Sequence, residues 1–495
     1  MNGAMIVLIL AFVATLALGV FARRGKQMDL EGWSVGSRGF GSLIVFLLLA
    51  GEIYTTFTFL GASGWAYAHG GAAYYILCYG ALAYVISYWL APAIWRYGTS
   101  KKLLTQPDWF ISKYNNRLIG AVVAVIGIVA MVPYLELQLK GLGIIVEETS
   151  YGKIPSTLAI WVGALALTAY VVISGIHAAA TNAIVKDVLV LIVVVGIGLY
   201  LPLHHSGSID AMFHSVQNGH PGMLALSPGS YNTGWFISSI VLSSLGFFMW
   251  PHYFGAVYSS KNPRTFRRNA MLLPLYQLVL LFVFFIGFTA LLVVPGLADG
   301  DMSLLAVARA ELPSWIVGVV GAAGMFCALV PGAMLLTTCG TVIAKNVVQE
   351  VSPGAPPARI AIAAKICVPV VALVALFLLF QGGSAIVNLL LLGYAFVTQL
   401  LPSMLMTLRR NNPITAAGAT AGMVVGAAVV AWLTISTSSA SDVLGVLPPA
   451  LQHINVGVVA LVINIVVMIV VSLVTTSQND TDATAERATV ASPAG

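Results

Sequence analysis

Two stretches of this chain set polar chemistry inside otherwise apolar runs. In the first, Gly51-Glu52-Ile53-Tyr54-Thr55-Thr56-Phe57-Thr58 interrupts a hydrophobic segment, with Gly61, Ser63 and Gly64 close behind. In the second, Ser238, Ser239, Ser243, Ser244 and Gly246 lead into Phe247-Phe248-Met249-Trp250-Pro251-His252. Pro251 has no backbone N–H to donate, so a helix there is predicted to kink or break. An interrupted helix in apolar surroundings leaves N–H groups that can hold an anion and carbonyls that can hold a cation. Small residues also let helices pack closely, and either stretch taken singly fits that reading. The pair, five apolar segments apart, points to a binding place built between two broken helices.

The elements that must position these stretches follow from composition. Of 495 residues, 59% are hydrophobic and 8% charged, and the mean hydropathy is +0.94. Soluble domains carry roughly 25% charged residues, so this chain could not cover its surface in water. Soluble enzymes, disordered scaffolds and nucleic-acid binders are thereby excluded. Apolar runs fall at about 6–22, 41–68, 75–97, 118–146, 155–175, 183–203, 235–258, 271–294, 315–347, 360–380, 384–408, 414–437 and 453–475. Crossing the hydrocarbon takes ~20 residues, and the longer runs are expected to tilt or break. The fold class expected is an all-α polytopic membrane protein with thirteen transmembrane helices. The first run lacks a basic region before it and is followed by Arg23, Arg24 and Lys26, as in a retained span rather than a cleaved signal peptide. With the N-terminus outside and the C-terminus in the cytoplasm, only Lys140, Lys153 and Arg309 of the 23 Lys and Arg fall toward the outside. That is the positive-inside bias of a multi-pass protein in the cell (inner) membrane.

Other polar groups read more plainly. His204, His205, His214 and His220 lie in a long outside loop, 204–233, without metal-ligand spacing. Cys78, Cys327, Cys339 and Cys367 are expected to be small buried hydrophobes, with neither a disulfide nor a metal pattern. No cofactor is expected. Glu136 and Lys140, flanking Gln138 after Pro133, have the spacing of an intrahelical ion pair. Lys186 lies one turn after Asn182 and next to Asp187. It is either a fixed or titrating ammonium inside the membrane or a side chain snorkelling to the headgroups. Glu52 could carry a proton, cap freed N–H groups or pair with Lys186. His252 could meet a carboxylate or the opened backbone. One transporter domain is expected over 1–476, with a disordered cytoplasmic tail at 477–495.

At these residues the sequence resembles the solute:sodium symporter family. Gly246-Phe247-Phe248-Met249-Trp250-Pro251-His252, with Ser260-Lys261-Asn262-Pro263 and Arg267-Arg268, looks like its Gly…Pro-His signature. Ser174-Gly175-Ile176-His177-Ala178 into Thr181-Asn182 is similar to its turn into the sixth span. The resemblance implies a LeuT-type five-plus-five inverted repeat, about 41–203 and 235–408, with one extra helix before it and two after. Gly51 to Gly61, Val185-Lys186-Asp187 and Gly393-Tyr394…Thr398-Gln399…Pro402 are most similar to bacterial monocarboxylate permeases. The implied function is cation-coupled import of lactate, pyruvate or propionate by alternating access. A sodium-coupled symporter for an amino acid or vitamin is the second reading, and a transporter-like sensor the third.

The resemblance also distributes roles. The substrate carboxylate is expected on backbone N–H groups and hydroxyls of Thr55, Thr56, Thr58, Ser243 and Ser244, between Tyr54 and His252. Phe57, Phe247, Trp250 and Tyr394 form the apolar wall, and Gln399 gives a gating hydrogen bond. Sodium-coupled members use two carbonyls in the second-span break, which fall on Gly51 and Tyr54 here. They also use two hydroxyls of the ninth span, which fall on Val330 and Pro331, residues without a side-chain oxygen. Thr337-Thr338, two turns on, is an alternative hydroxyl pair. The family's sixth-span Asp is Asn182. Lys186 is therefore expected in the sodium position, and the coupling ion, sodium or proton with Glu52 as carrier, is left open.

Overall fold

Hydrocarbon offers the backbone no hydrogen-bond partners, so apolar spans must satisfy their own peptide groups as helices. The computed structural model describes residues 2–226, 229–436, 448 and 452–475, and among them it contains helices and no strand beyond an isolated bridge between Phe40 and Ser260. Eleven helices of the described residues are long and apolar enough to cross a membrane, and the bent pair Thr233–Met249 and Pro251–Tyr258, at 49°, makes a twelfth. The expected thirteen differ because the chain is cut elsewhere. The apolar helix Ser42–Gly51 stops short, while Phe57–Ser100 forms one helical stretch. That stretch turns at Gly70, where φ is +55°. The apolar runs 41–68 and 75–97 thus break inside the first and join where a gap was read. The 477–495 tail lies outside the described residues.

Helix Ser314–Ile343 runs through the centre, packed by Gly3–Phe21, Arg117–Thr149, Ile176–Ser206 and Pro357–Gln381. The peripheral helices turn large apolar side chains outward, as with Leu165 at 74% and Leu473 at 81% exposure. Such a surface is at home only against lipid tails. Cys78 lies on this outer surface and Cys367 is half-buried, so only Cys327 and Cys339 are the buried hydrophobes expected. The stretch read as an outside loop contains the helix Ile209–Gly219, with Met212 and Val216 buried. Three of its histidines face carboxylates: His204 Nε2 is 3.7 Å and His205 Nδ1 3.9 Å from Glu311, and His214 Nε2 is 3.5 Å from Asp210.

Two polar clamps hold neighbouring elements together. At one, Lys140 Nζ meets Asp301 at 2.6 Å, Asp299 at 2.9 Å and the Ser384 carbonyl at 3.2 Å. Asp301 also accepts from the Ile386 amide at 2.9 Å. Lys140 therefore does not pair with Glu136, because two carboxylates from another element outcompete one on its own helix. Glu136 instead lines a 240 Å³ cavity with Lys140 and Ser384. At the other, Asp108 accepts from Lys345 at 2.6 Å, Asn346 at 3.0 Å and the amides of Leu104 and Thr105. Burial pushes the Asp108 carboxyl up, but Lys345 and these donors together hold it below the ordinary carboxylate value.

Close backbone approach fixes the first clamp to the first broken helix. Ser63 and Ser303 hydroxyls bond at 2.9 Å, and a Cβ on Gly64 would stand 2.7 Å from the Gly300 carbonyl group. Gly64→Ala is expected to destabilise the detergent-purified protein by about 1–3 kcal/mol, the usual overpacking cost. Gly41→Ala, where a Cβ meets nothing within 4 Å, should melt as the parent does in thermal-unfolding scans.

Candidate functional site

The first break follows from its threonines. Helix Ser42–Gly51 ends, Glu52 to Thr55 turn, and a π-helical segment Phe57–Gly61 leads into Ala62–His69. Threonine hydroxyls compete with helical backbone bonds. Thr58 Oγ1 donates to the Ile53 carbonyl at 2.5 Å and accepts from the Thr55 amide at 3.1 Å. Thr55 Oγ1 accepts from the Phe57 amide at 3.1 Å. Thr56 Oγ1 donates to Gln138 Oε1 at 2.5 Å. All three hydroxyls are thus engaged with the protein's own chain.

The second break follows from Pro251. Helix Thr233–Gly246 passes through one 3-10 turn, Phe247–Met249, and Trp250 is extended with φ −65° and ψ 127°. A residue before proline is driven to that region. Gln106 Nε2 donates to the freed Met249 carbonyl at 2.7 Å. Ser244 Oγ donates to the Tyr79 carbonyl at 3.2 Å, while Ser243 Oγ is buried without a partner.

The two breaks meet. His252 Nε2 contacts Glu52 Oε2, with the side chains 2% and 4% exposed. The Tyr134 hydroxyl donates to the Glu52 carbonyl at 3.1 Å. Aromatic rings fill the remaining space. Trp250 lies 4.9 Å from Tyr134 and 5.3 Å from Tyr394, and Tyr79 lies 5.7 Å from Tyr394 and 6.3 Å from Phe57. Phe247 packs on Tyr84 and Tyr253. Tyr79 and Tyr134 were missed from the sequence, and Gln138 was read only as part of the polar cluster with Glu136 and Lys140. They come from unbroken helices, where the one local signal was Pro133 beside Tyr134.

The positions assigned to ion coupling separate. Lys186 Nζ, fully buried, donates to the Tyr54 carbonyl at 3.1 Å and would stand 3.1 Å from a Cβ on Gly51. It does not snorkel. Its ammonium is also 3.1 Å from Asp187 Oδ1, yet neither Asp187 oxygen accepts a directed hydrogen bond, so that contact is one of charge. Val330 and Pro331 are buried and bring no oxygen. The Thr337 hydroxyl is spent on the Ala333 carbonyl at 2.7 Å, and Thr338 is 3.8 Å from a Cβ built on Gly255 in the second broken helix. Asn182 donates to the Thr15 carbonyl of the first helix at 3.2 Å. Gln399 faces away from the breaks: its amide donates to the Ala395 and Gly457 carbonyls, and Asn464 donates to it.

The chain belongs to the sodium:solute symporter family, whose family model matches residues 33–426. It is accordingly a cation-coupled transporter of a small solute, set in a membrane. It is 50% identical over 477 residues to the uncharacterized symporter YhjB of Bacillus subtilis (strain 168), covering 96% of this chain and 98% of that one. It is 28% identical over 439 residues to a monocarboxylate transport permease protein of Rhizobium johnstonii, covering 86% of this chain and 87% of that one. The fold is that of LeuT-type symporters. A substrate-bound, outward-open sodium-coupled sialic acid symporter superposes with a TM-score of 0.77 at 14% identity, over 96% of this chain and 99% of that one.

Removing one member of a buried pair leaves the other charge uncompensated, at a cost of about 3–5 kcal/mol. Lys186→Met is expected to lose stability on that scale. Lys186→Met combined with Asp187→Asn should recover most of it in the same thermal-unfolding measurement.

Proposed function

We propose that this protein imports a small monocarboxylate of the lactate, pyruvate or propionate type by alternating access, coupled to protons. What carries the reading is the meeting of two interrupted helices around a buried, ring-lined centre, with an ammonium already seated on the Tyr54 carbonyl. Sodium is a hard cation that needs several oxygen ligands. Here one backbone oxygen holds Lys186, and Val330 and Pro331 add none. A tethered cation in that place leaves the proton as the mobile one. The monocarboxylate choice is supported by the likeness to the Rhizobium permease. Tyr54, Thr55, Thr56, Phe57, Thr58, Ser243, Ser244, Phe247, Trp250, His252 and Tyr394 are the residues assigned to the substrate.

A monocarboxylate entering against a negative-inside potential costs about 2.3 kcal/mol per charge per 100 mV, so accumulation requires a co-transported cation. In the orientation we assign, the Lys140 clamp falls toward the outside and the Asp108 clamp toward the cytoplasm. Opening one while the other stays closed would expose the site to one side at a time.

Uptake of labelled lactate, pyruvate and propionate into proteoliposomes tests this. Replacing sodium by choline at fixed pH should leave uptake unchanged, and collapsing an inward proton gradient should abolish accumulation. Loss of uptake in choline would return the coupling role to sodium. Competition by an amino acid or a vitamin, with none from the three acids, would overturn the substrate class.

A further inference from the structure

Within the site so assigned, and resting on that monocarboxylate reading, the geometry points to Glu52 as an internal stand-in for the substrate. We propose that the incoming carboxylate displaces the Glu52 carboxylate from His252. The His252–Glu52 contact joins the two breaks directly, and both side chains are almost wholly buried. It is also incompletely satisfied. Glu52 Oε1 and His252 Nδ1 have no partner.

The atoms around it share one need. Gln138 Nε2 and Ser243 Oγ are buried and unpartnered, and Trp250 Nε1 has no partner beyond the Tyr394 phenol. Indole and amide nitrogens can only donate. Trp250 lies 5.6 Å, ring to ring, from His252, and Gln138 is tied to Thr56 in the first break. Unmet buried donors are costly to keep, and here they belong to the second broken helix or to the side chain that holds the first. What would satisfy them is an acceptor with two oxygens, a carboxylate. Glu52 already places one such group there, held by a single contact and carried on broken rather than helical backbone.

Two carboxylates cannot share one imidazole at close range without strong repulsion. Substrate and Glu52 therefore exclude each other on His252. The other charge pair at the break, Lys186–Asp187, has its ammonium on the Tyr54 carbonyl, and the nearby side chains on the other faces are phenols. These are Tyr84, Tyr134, Tyr253 and Tyr394, from three neighbouring helices and the second broken helix itself. None of them offers an imidazole nitrogen in place of His252. In the empty protein the pair pins the broken helices to each other, and the substrate's arrival releases the pin. Binding is thereby tied to movement of the two helices.

The test is calorimetric titration of the full-length protein in detergent with propionate and with its neutral isostere propionamide. Glu52→Gln removes the competitor, so propionate should bind at least about fivefold tighter, while His252→Gln should bind it at least about tenfold weaker. Propionamide should respond to neither change. On the unmodified protein, infrared difference spectra with carboxyl-labelled propionate should show a change in a protein carboxylate band, a readout that does not depend on either variant folding. An unchanged band, or Glu52→Gln weakening propionate as much as His252→Gln does, overturns the exchange while leaving the monocarboxylate reading in place. Failure of propionate, lactate and pyruvate to bind the unmodified protein or Glu52→Gln overturns both.

Discussion

A peptide group opened inside hydrocarbon costs several kcal/mol unless something nearby meets it, and the centre of this protein is organised around that cost. Two helices are interrupted at depth, and most of the freed groups characterised here have an assigned partner. Threonine hydroxyls close the first break upon itself, Gln138 holds it from a neighbouring helix, and Lys186 takes its Tyr54 carbonyl. Gln106 takes the Met249 carbonyl at the second. These partners come from different helices, so the breaks persist only while the surrounding bundle is assembled. Among the groups left unmet, Glu52 Oε1, His252 Nδ1 and Ser243 Oγ belong to the two broken helices.

Charge follows the same logic. Buried ions are tolerated in pairs, and the ionisable groups at the breaks come paired, Glu52 with His252 and Lys186 with Asp187. A centre balanced in this way resists an added anion unless a positive charge accompanies it or a resident negative charge yields. Both proposals draw on that balance, one through the coupling ion and one through Glu52. At the two ends the clamps involve ion pairs that are partly exposed, where water lowers the cost of breaking them. A structure that must open at either end and stay closed in the middle places its strongest electrostatics where water does not reach.

Much of this was legible before any coordinates. Composition and run length required a polytopic helical bundle, because no other backbone arrangement of these residues survives in lipid. Pro251 and the Thr55–Thr58 cluster announced both breaks, since proline removes a donor and hydroxyls compete for the backbone whatever the surroundings. Missing oxygens at Val330 and Pro331 signalled that the family's usual cation ligands are incomplete. The segment count was less secure: hydropathy registers apolar length, and neither the short Ser42–Gly51 helix nor the turn at Gly70 alters it.

Partnership was beyond the sequence. Lys140 had a suitable carboxylate four residues away in Glu136 and took Asp299 and Asp301 instead. His252 and Glu52, two hundred residues apart, found each other, while Gln399 turned to Gly457 and Asn464. Local chemistry fixes where a helix must break and which groups are then left wanting. Which distant side chain answers each one depends on how the helices are arranged in space, and only the packed bundle decides that.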